Sequence, residues 1–263
     1  MENIMDNCKI IAHRGANVYA PQNTLPAFIR AAELGADGFE TDIHLTRDGV
    51  PVICHNYTVD ETSNGMGSIS KMEYSELLGL DFGSYFSEKY KGTRILTLEE
   101  FLTVCEKYDI KLINLELKPL REGETGEKLV QTVLDMVHSF GFSNRVIISS
   151  FDRVLLKLAK ELDPHCKTGF LYHPAFHTLS RQWAEFTFVP VTTAKSLGCE
   201  SLHPMLPYVT SEYVRRAHKA GLKINVWTVD SERQIKRMKS LGVDGIITDC
   251  PDRAKRIIES KRG

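Results

Sequence analysis

Long apolar runs are missing from this 263-residue chain. Nowhere do about 18 apolar residues stand together, the length that a membrane-crossing helix needs, so no stable membrane anchoring is expected. The opening stretch MENIMDNCKIIAHRG has neither a basic start nor an apolar core, which argues against a signal peptide. An excess of either charge is missing too: 33 Lys and Arg stand against 34 Asp and Glu, for a formal net charge of −1. That balance offers no footprint for nucleic acid or for an anionic membrane surface. Cysteine is present but unpatterned. Cys8, Cys54, Cys105, Cys166, Cys199 and Cys250 form no CxxC pair and keep no regular spacing, which disfavours structural zinc and suits the reduced thiols of a cytoplasmic protein. A Gly-rich loop ending in Lys-Ser/Thr is also absent, so nucleoside triphosphate chemistry is not indicated.

The chain does contain a sustained alternation of strand-like and helix-like segments. Strands are predicted at Lys9–Ala12, Phe39–His44, Lys111–Leu117, Val146–Ser150, Thr168–Tyr172, Cys199–His203, Lys223–Val229 and Asp244–Thr248. Helices are predicted between them, the first over Thr24–Leu34 with Asn23 or Thr24 as its N-cap and Gly35 as its stop. Eight such units in this length predict a (β/α)8 TIM barrel spanning residues 1–263 as one domain, with a doubly wound open sheet as the alternative. Pro174–Lys195 reads equally as helix or strand. Residues 56–94 carry several glycines and aromatic clusters but no convincing strand, and are expected to form a small ordered insertion.

The stretch FETDIHLTRDGVPVICHN, Phe39 to Asn56, reads as a β-hairpin turning at Asp48-Gly49. Residues two apart on a strand share a face, so Glu40 and Asp42 point the same way. A two-residue turn sets Asp42 opposite His55. The intervening Phe39, Thr41 and Ile43 would face helices. A buried strand tolerates few charges, so two acids there call for an oxygen-loving cation.

Chemistry in a barrel gathers at the C-terminal ends of the strands. His13 and Arg14 end the first strand, Glu116 and Lys118 the third, Ser150 and Phe151 the fourth; Trp227 belongs to the seventh and Asp249 follows the eighth. Glu40, Asp42 and Glu116 make a hard oxygen donor set that suits Mg²⁺ or Ca²⁺ better than zinc or copper, with Mn²⁺ left open. The bland reading pairs Glu116 with Lys118 and Asp42 with His55 as structural ion pairs. His13 and His55 can trade protons near neutral pH. Arg14 and Lys118 supply fixed positive charge. Together these suit a reaction that builds negative charge on a phosphoryl group. His173, His177 and His203 also stand near strand ends, with nothing to separate them from ordinary loop histidines.

The run His13-Arg14-Gly15, Pro21-Gln22-Asn23-Thr24, Glu40-Thr41-Asp42, His55, Asn64-Gly65, Glu116-Leu117-Lys118, Ser149-Ser150-Phe151, Trp227-Thr228-Val229 and Asp244 to Asp249 resembles the glycerophosphodiester phosphodiesterase family, in order, from Ile10 to Pro251. The resemblance implies a barrel with a small subdomain inserted after His55. It implies hydrolysis of glycerophosphodiesters, such as glycerophosphocholine and glycerophosphoethanolamine, to sn-glycerol 3-phosphate and an alcohol, within lipid and glycerol metabolism. It further implies one divalent cation on Glu40, Asp42 and Glu116, acid and base roles for His13 and His55, and phosphate contacts from Arg14 and Lys118. Phe151 and Trp227 would line a glycerol pocket. Gln22, Asn23 and Asn56 would stand behind these groups. Gln22 replaces the family's usual Glu, Asn56 its usual Asp after the second histidine, and Glu61 a frequent Arg. The first two remove negative charge near the imidazoles, which should lower their pKa values. Competing expectations are a lysophospholipase D-like or cyclic-phosphate-forming lyase on the same scaffold, a catalytically silent binding barrel, and a two-carboxylate glycosidase.

Overall fold

A computed structural model describes residues 8–121, 126–173 and 183–260. The strands are β1 (Lys9–His13), β2 (Gly38–Leu45), β3 (Pro51–Ile53), β4 (Leu112–Leu117), β5 (Val146–Ser150), β6 (Lys167–Tyr172), β7 (Ser201–Pro204), β8 (Lys223–Val226) and β9 (Gly245–Thr248). All but β3 run parallel, and β1 pairs with both β2 and β9, which closes eight strands into a barrel. The helices between them are α1 (Leu25–Glu33), α2 (Tyr74–Leu77), α3 (Leu98–Lys107), α4 (Gly126–Ser139), α5 (Arg153–Leu162), α6 (Trp183–Ser196), α7 (Ser211–Lys219), α8 (Glu232–Leu241) and α9 (Pro251–Glu259). The eight-strand expectation therefore holds. Of the ambiguous stretch Pro174–Lys195, residues 174–182 lie outside the described residues and the rest is helical from Trp183, with Pro190 inside it; a proline and β-formers within a helix are what blurred its periodicity.

Strand alternation decides what faces where. Phe39 packs outward against Phe28 of α1, at 5.5 Å between ring centroids, and Phe28 meets Phe101 of α3 edge-on at 4.7 Å. Glu40 and Asp42, on the opposite parity, are left facing the barrel axis. Thr97 and Glu100 cap α3 reciprocally, fixing where that helix begins. Residues 56–94 hold short helical turns and α2 over a satellite cluster of Val59, Ile69, Leu77 and Phe82 with Val52, Cys54 and Ile95.

The hairpin register departs from the expected one. Ile43 pairs with Ile53 and His44 with Val52, so Asp42 stands opposite Cys54, not His55. The cause is the turn. Thr46 N bonds Val50 O, and Thr46 O accepts from Gly49 N, enclosing three residues, with Gly49 at φ +85°. This is a three-residue loop with glycine in the left-handed position rather than a two-residue type I′ turn, and one extra residue shifts the ladder by one. His55 lies past the end of β3 and reaches the site by the path of the chain beyond the strand.

One polar cluster inside the barrel lies outside the acidic group. His203 is fully buried, with Nε2 3.0 Å from Ser201 Oγ and 3.1 Å from Asn225 Nδ2. Position 169 is glycine because a Cβ there would lie 2.6 Å from that same nitrogen. Burial holds the His203 pKa down to about 3. The unfolded chain, with histidine near 6.5, therefore binds a proton that the native state refuses. Stability should fall as pH drops from about 6.5 toward 3, at up to about 1.4 kcal/mol per pH unit from this residue. Urea unfolding of His203→Gln across that range is expected to show a shallower slope; an unchanged slope would remove His203 as the cause.

Candidate active site

Strand register brings the acidic side chains together. Asp42 is the direct cross-strand partner of Glu116, and His13 that of Glu40. Glu40, Asp42 and Glu116 are all buried, and one carboxylate oxygen of each lies within 4.8 Å of the others. Lys118 Nζ sits 2.7 Å from both Asp42 Oδ1 and Glu116 Oε1. Arg14 Nε stands 3.4 Å from Asp42 Oδ2. The expected pairing of Lys118 with Glu116 is present, but Asp42 shares the lysine and does not pair with His55.

Three carboxylates face two cations in this cup, and the imbalance falls on Glu40. Burial first, then the neighbouring Asp42 and Glu116, push its carboxyl well above the usual range. Asp42 goes the other way: burial would raise it, but Lys118 and Arg14 outweigh that and hold it ionised. Glu116 is raised by burial despite Lys118. Lys118 is held charged because Asp42 and Glu116 outweigh its own desolvation. A buried all-oxygen donor set with surplus negative charge and one carboxyl driven toward protonation fits a divalent cation of the Mg²⁺ or Ca²⁺ type.

The two histidines are held differently. His13 Nδ1 lies 2.6 Å from Asp249 Oδ1, which also accepts from Asn17 Nδ2 at 2.7 Å. Burial acts to raise the Asp249 carboxyl, but the His13 hydrogen bond and charge, with the Asn17 hydrogen bond and the Arg14 charge, together outweigh it and hold the group below its usual range. An ionised carboxylate can only accept, so Nδ1 carries the hydrogen and Nε2 is left toward the cup, 3.9 Å from Glu40 Oε2. His55 Nδ1 lies 2.6 Å from Asn56 Oδ1, and Asn56 Nδ2 donates to Glu61 Oε2 at 2.7 Å. The Glu61 carboxylate thus fixes which end of the Asn56 amide faces the imidazole. Burial lowers the His55 pKa to about 4, with Asp42 opposing and Lys118 and Arg14 assisting, so the ring is neutral at pH 7.

The residues behind these groups are also specific. Asn23, at φ +58°, is buried and donates to Asp42 Oδ2 at 2.8 Å while accepting from Thr41 Oγ1 at 2.9 Å. It supports a carboxylate; Thr24 is the N-cap residue of α1, and its hydroxyl makes no capping bond but donates to Pro21 O at 2.5 Å. Gln22 Oε1 accepts from Arg14 Nη1 at 2.7 Å, so its nearest effect is on the guanidinium. Arg14 itself adopts φ +56°, and Gly15 follows where a Cβ would lie 2.7 Å from Ala27 backbone.

Phe151 and Trp227 meet edge-on at 5.8 Å and line one cavity with His13, Arg14, His55 and Lys118. His173 lines it too, His203 is buried in the barrel interior, and His177 lies outside the described residues. Sequence reasoning gave no role to Asp249, Asn17 or Glu61. The DGIITD run held Asp249 in view and the family resemblance marked Glu61 as a departure, but the bond of Glu61 to Asn56 and those of Asn17 are fixed by packing. The six cysteines are unpaired and buried, and no helix among the described residues is long and apolar enough to cross a membrane.

The model of the glycerophosphoryl diester phosphodiesterase family matches residues 13–253. A glycerophosphodiester phosphodiesterase of Caldanaerobacter subterraneus subsp. tengcongensis is 40% identical over 246 residues, covering 92% of this chain and 94% of that protein. A phosphodiesterase of Oleispira antarctica, solved in complex with the product sn-glycerol-3-phosphate, has a TM-score of 0.84 at 30% identity, covering 96% of this chain and 97% of its own. A protein of Silicibacter pomeroyi described as a glycerophosphoryl diester phosphodiesterase has a TM-score of 0.85 at 28% identity, over 96% of this chain and 93% of that one.

Added Mg²⁺ or Ca²⁺ is expected to raise the thermal midpoint, since a ligand at a hundredfold its Kd stabilises a fold by about 2.7 kcal/mol. Glu40→Gln should lose most of that rise. An equal rise in the variant would count against the acidic trio as the cation site.

Proposed function

Since this chain belongs to the glycerophosphoryl diester phosphodiesterase family and is an enzyme, we propose that it hydrolyses glycerophosphodiesters to sn-glycerol 3-phosphate and an alcohol. The observation that carries this reading is the convergence, at the C-terminal mouth of the barrel, of a buried acidic trio with Arg14, Lys118 and two histidines whose Nδ1 atoms are both occupied. Glu40, Asp42 and Glu116 would hold one divalent cation, Mg²⁺ or Ca²⁺ with Mn²⁺ as a further choice. When bound it would draw charge from a non-bridging phosphoryl oxygen. Arg14 and Lys118 would bind the remaining phosphoryl oxygens, and Phe151 with Trp227 would enclose the glycerol carbons.

His55, kept neutral by burial, suits the acceptor of a proton from the attacking hydroxyl. His13, with its Nδ1–H held by the Asp249 carboxylate, suits the donor in the form that also carries a proton on Nε2, which passes to the leaving alkoxide as its P–O bond breaks and the new P–O bond forms. The attacking hydroxyl is water, or the glycerol hydroxyl next to the phosphate by way of a cyclic phosphate. Gln22, Asn23 and Asn56 would act through Arg14, Asp42 and His55, their bonded neighbours. Residues 56–94 would serve as an inserted subdomain that carries Asn56 and Glu61 to the mouth. Six buried unpaired thiols support a cytoplasmic setting.

Release of glycerol 3-phosphate from glycerophosphocholine and glycerophosphoethanolamine should require a divalent cation, stop with chelator, and fall by about 10² to 10⁴ in His55→Ala, the range of a lost general base. No release by the wild type with any divalent ion would overturn the reading. A substrate analogue lacking the neighbouring hydroxyl should be inert if that hydroxyl attacks first; equal turnover would leave water as the direct nucleophile.

A further inference from the structure

His55 stands past the end of β3, and the residue after it holds its ring. Nδ1 lies 2.6 Å from Asn56 Oδ1, and Asn56 Nδ2 donates to Glu61 Oε2 at 2.7 Å. A neutral imidazole has one N–H and one bare nitrogen, and it takes up a proton only on the bare one. What faces Nδ1 therefore decides which nitrogen can act. With Asn56 Oδ1 there, Nδ1 is the donor and Nε2 is bare. With the amide turned end for end, Nδ2 would donate to Nδ1, and Nε2 would carry the hydrogen.

Both orientations of the amide fill the same space, so shape does not choose between them. The choice falls to Glu61. A carboxylate oxygen only accepts, so in the turned orientation Asn56 Oδ1 would stand where Nδ2 now does, against a second and negatively charged acceptor. The Glu61 side chain is exposed, but its backbone is fixed from both sides. Val59 and Thr62 are buried, Thr62 N donates to Val59 O at 3.3 Å, and Asp60 accepts from Gly67 N at 2.8 Å. Thr62 Oγ1 lies 3.9 Å from Cys54 Sγ, which ties this turn to the residue just before His55.

We infer that Glu61 is a positioning residue for the reaction: acting through the Asn56 amide, it keeps His55 in the tautomer whose Nε2 is bare. The effect on rate rests on the phosphodiesterase reading with His55 as base; the tautomer is a property of the folded chain and is read without substrate. The two positions are coupled in sign. In Glu61→Lys the new ammonium can only donate, so it takes Asn56 Oδ1 and turns the amide. In Asn56→Asp the new carboxylate accepts from Nδ1–H directly but stands against Glu61. Combined, the two substitutions give a carboxylate that accepts from the ring on one side and from the ammonium on the other.

The test pairs ¹⁵N NMR of the histidine rings at pH 7, with the His55 signals identified by their loss in His55→Ala, with kcat and KM for glycerophosphocholine in the presence of a divalent cation. The wild type should show His55 as the Nδ1–H form. Glu61→Lys should move it to the Nε2–H form and lower kcat by at least about tenfold with little change in KM, as a wrong tautomer does to a general base. Glu61→Gln, whose side-chain carbonyl still accepts from Asn56, should lose less than Glu61→Lys. Adding Asn56→Asp to Glu61→Lys should restore the Nδ1–H form and raise kcat above that of Glu61→Lys alone. A tautomer that Glu61→Lys leaves unmoved, a moved tautomer without loss of kcat, or a double variant no better than Glu61→Lys overturns the positioning role and leaves the hydrolase reading intact. A tautomer that follows Glu61 in a wild type that releases no glycerol 3-phosphate overturns the hydrolase reading and leaves the control of the His55 ring standing.

Discussion

Lys118 lodged between Asp42 and Glu116 is the interaction on which the site depends. A carboxylate taken out of water costs several kcal/mol unless an opposite charge and hydrogen bonds replace its hydration. Asp42 has Lys118, Arg14 and the Asn23 amide around it, and it can stay ionised without exposure. Glu40 has the backbone N–H of Arg14 at 3.1 Å and a more distant imidazole, which does not suffice. The cup is therefore short of one positive partner, and a divalent cation is the species whose charge and oxygen preference complete it.

That constraint reaches outward into the scaffold. Asn23 and Arg14 both hold left-handed backbone conformations, and Asn23 N bonds Arg14 O at 2.9 Å, so the β1–α1 loop is folded back on itself to aim two side chains at Asp42. On the far side of β2, Phe28, Phe39 and Phe101 supply the apolar packing that fixes the strand carrying both acids. One face of β2 thus stabilises the fold while the other carries charges that would destabilise it alone.

The two imidazoles are held by different supports. His13 leans on a carboxylate directly, while His55 leans on an amide whose orientation is fixed by a carboxylate one residue further out. Both arrangements settle the tautomer by occupying Nδ1, which would leave Nε2 as the reactive nitrogen in the proposed hydrolysis. They differ in charge: the neutral amide beside His55 leaves burial to dominate, whereas His13 faces Asp249 across 2.6 Å.

The barrel and the acidic trio were legible in the sequence because both rest on short periods: strand alternation assigns Glu40 and Asp42 to one face, and repeated strand–helix units assign strand ends to one rim. Eight parallel strands, the helical spans between them and the family resemblance all follow from such local patterns. The hairpin register was not legible, because a two-residue and a three-residue turn at Asp48-Gly49 share the same signature and differ only in which backbone groups pair. Nor were Asn17, Glu61 and the stacking of Arg121 on Tyr57, since each joins side chains whose proximity is set by how loops pack. Composition and periodicity determined which residues could carry charge into a barrel; only the tertiary structure decided that Asp42 pairs with Lys118 and not with His55, because contact between separate strands depends on register, and register is a property of the closed sheet.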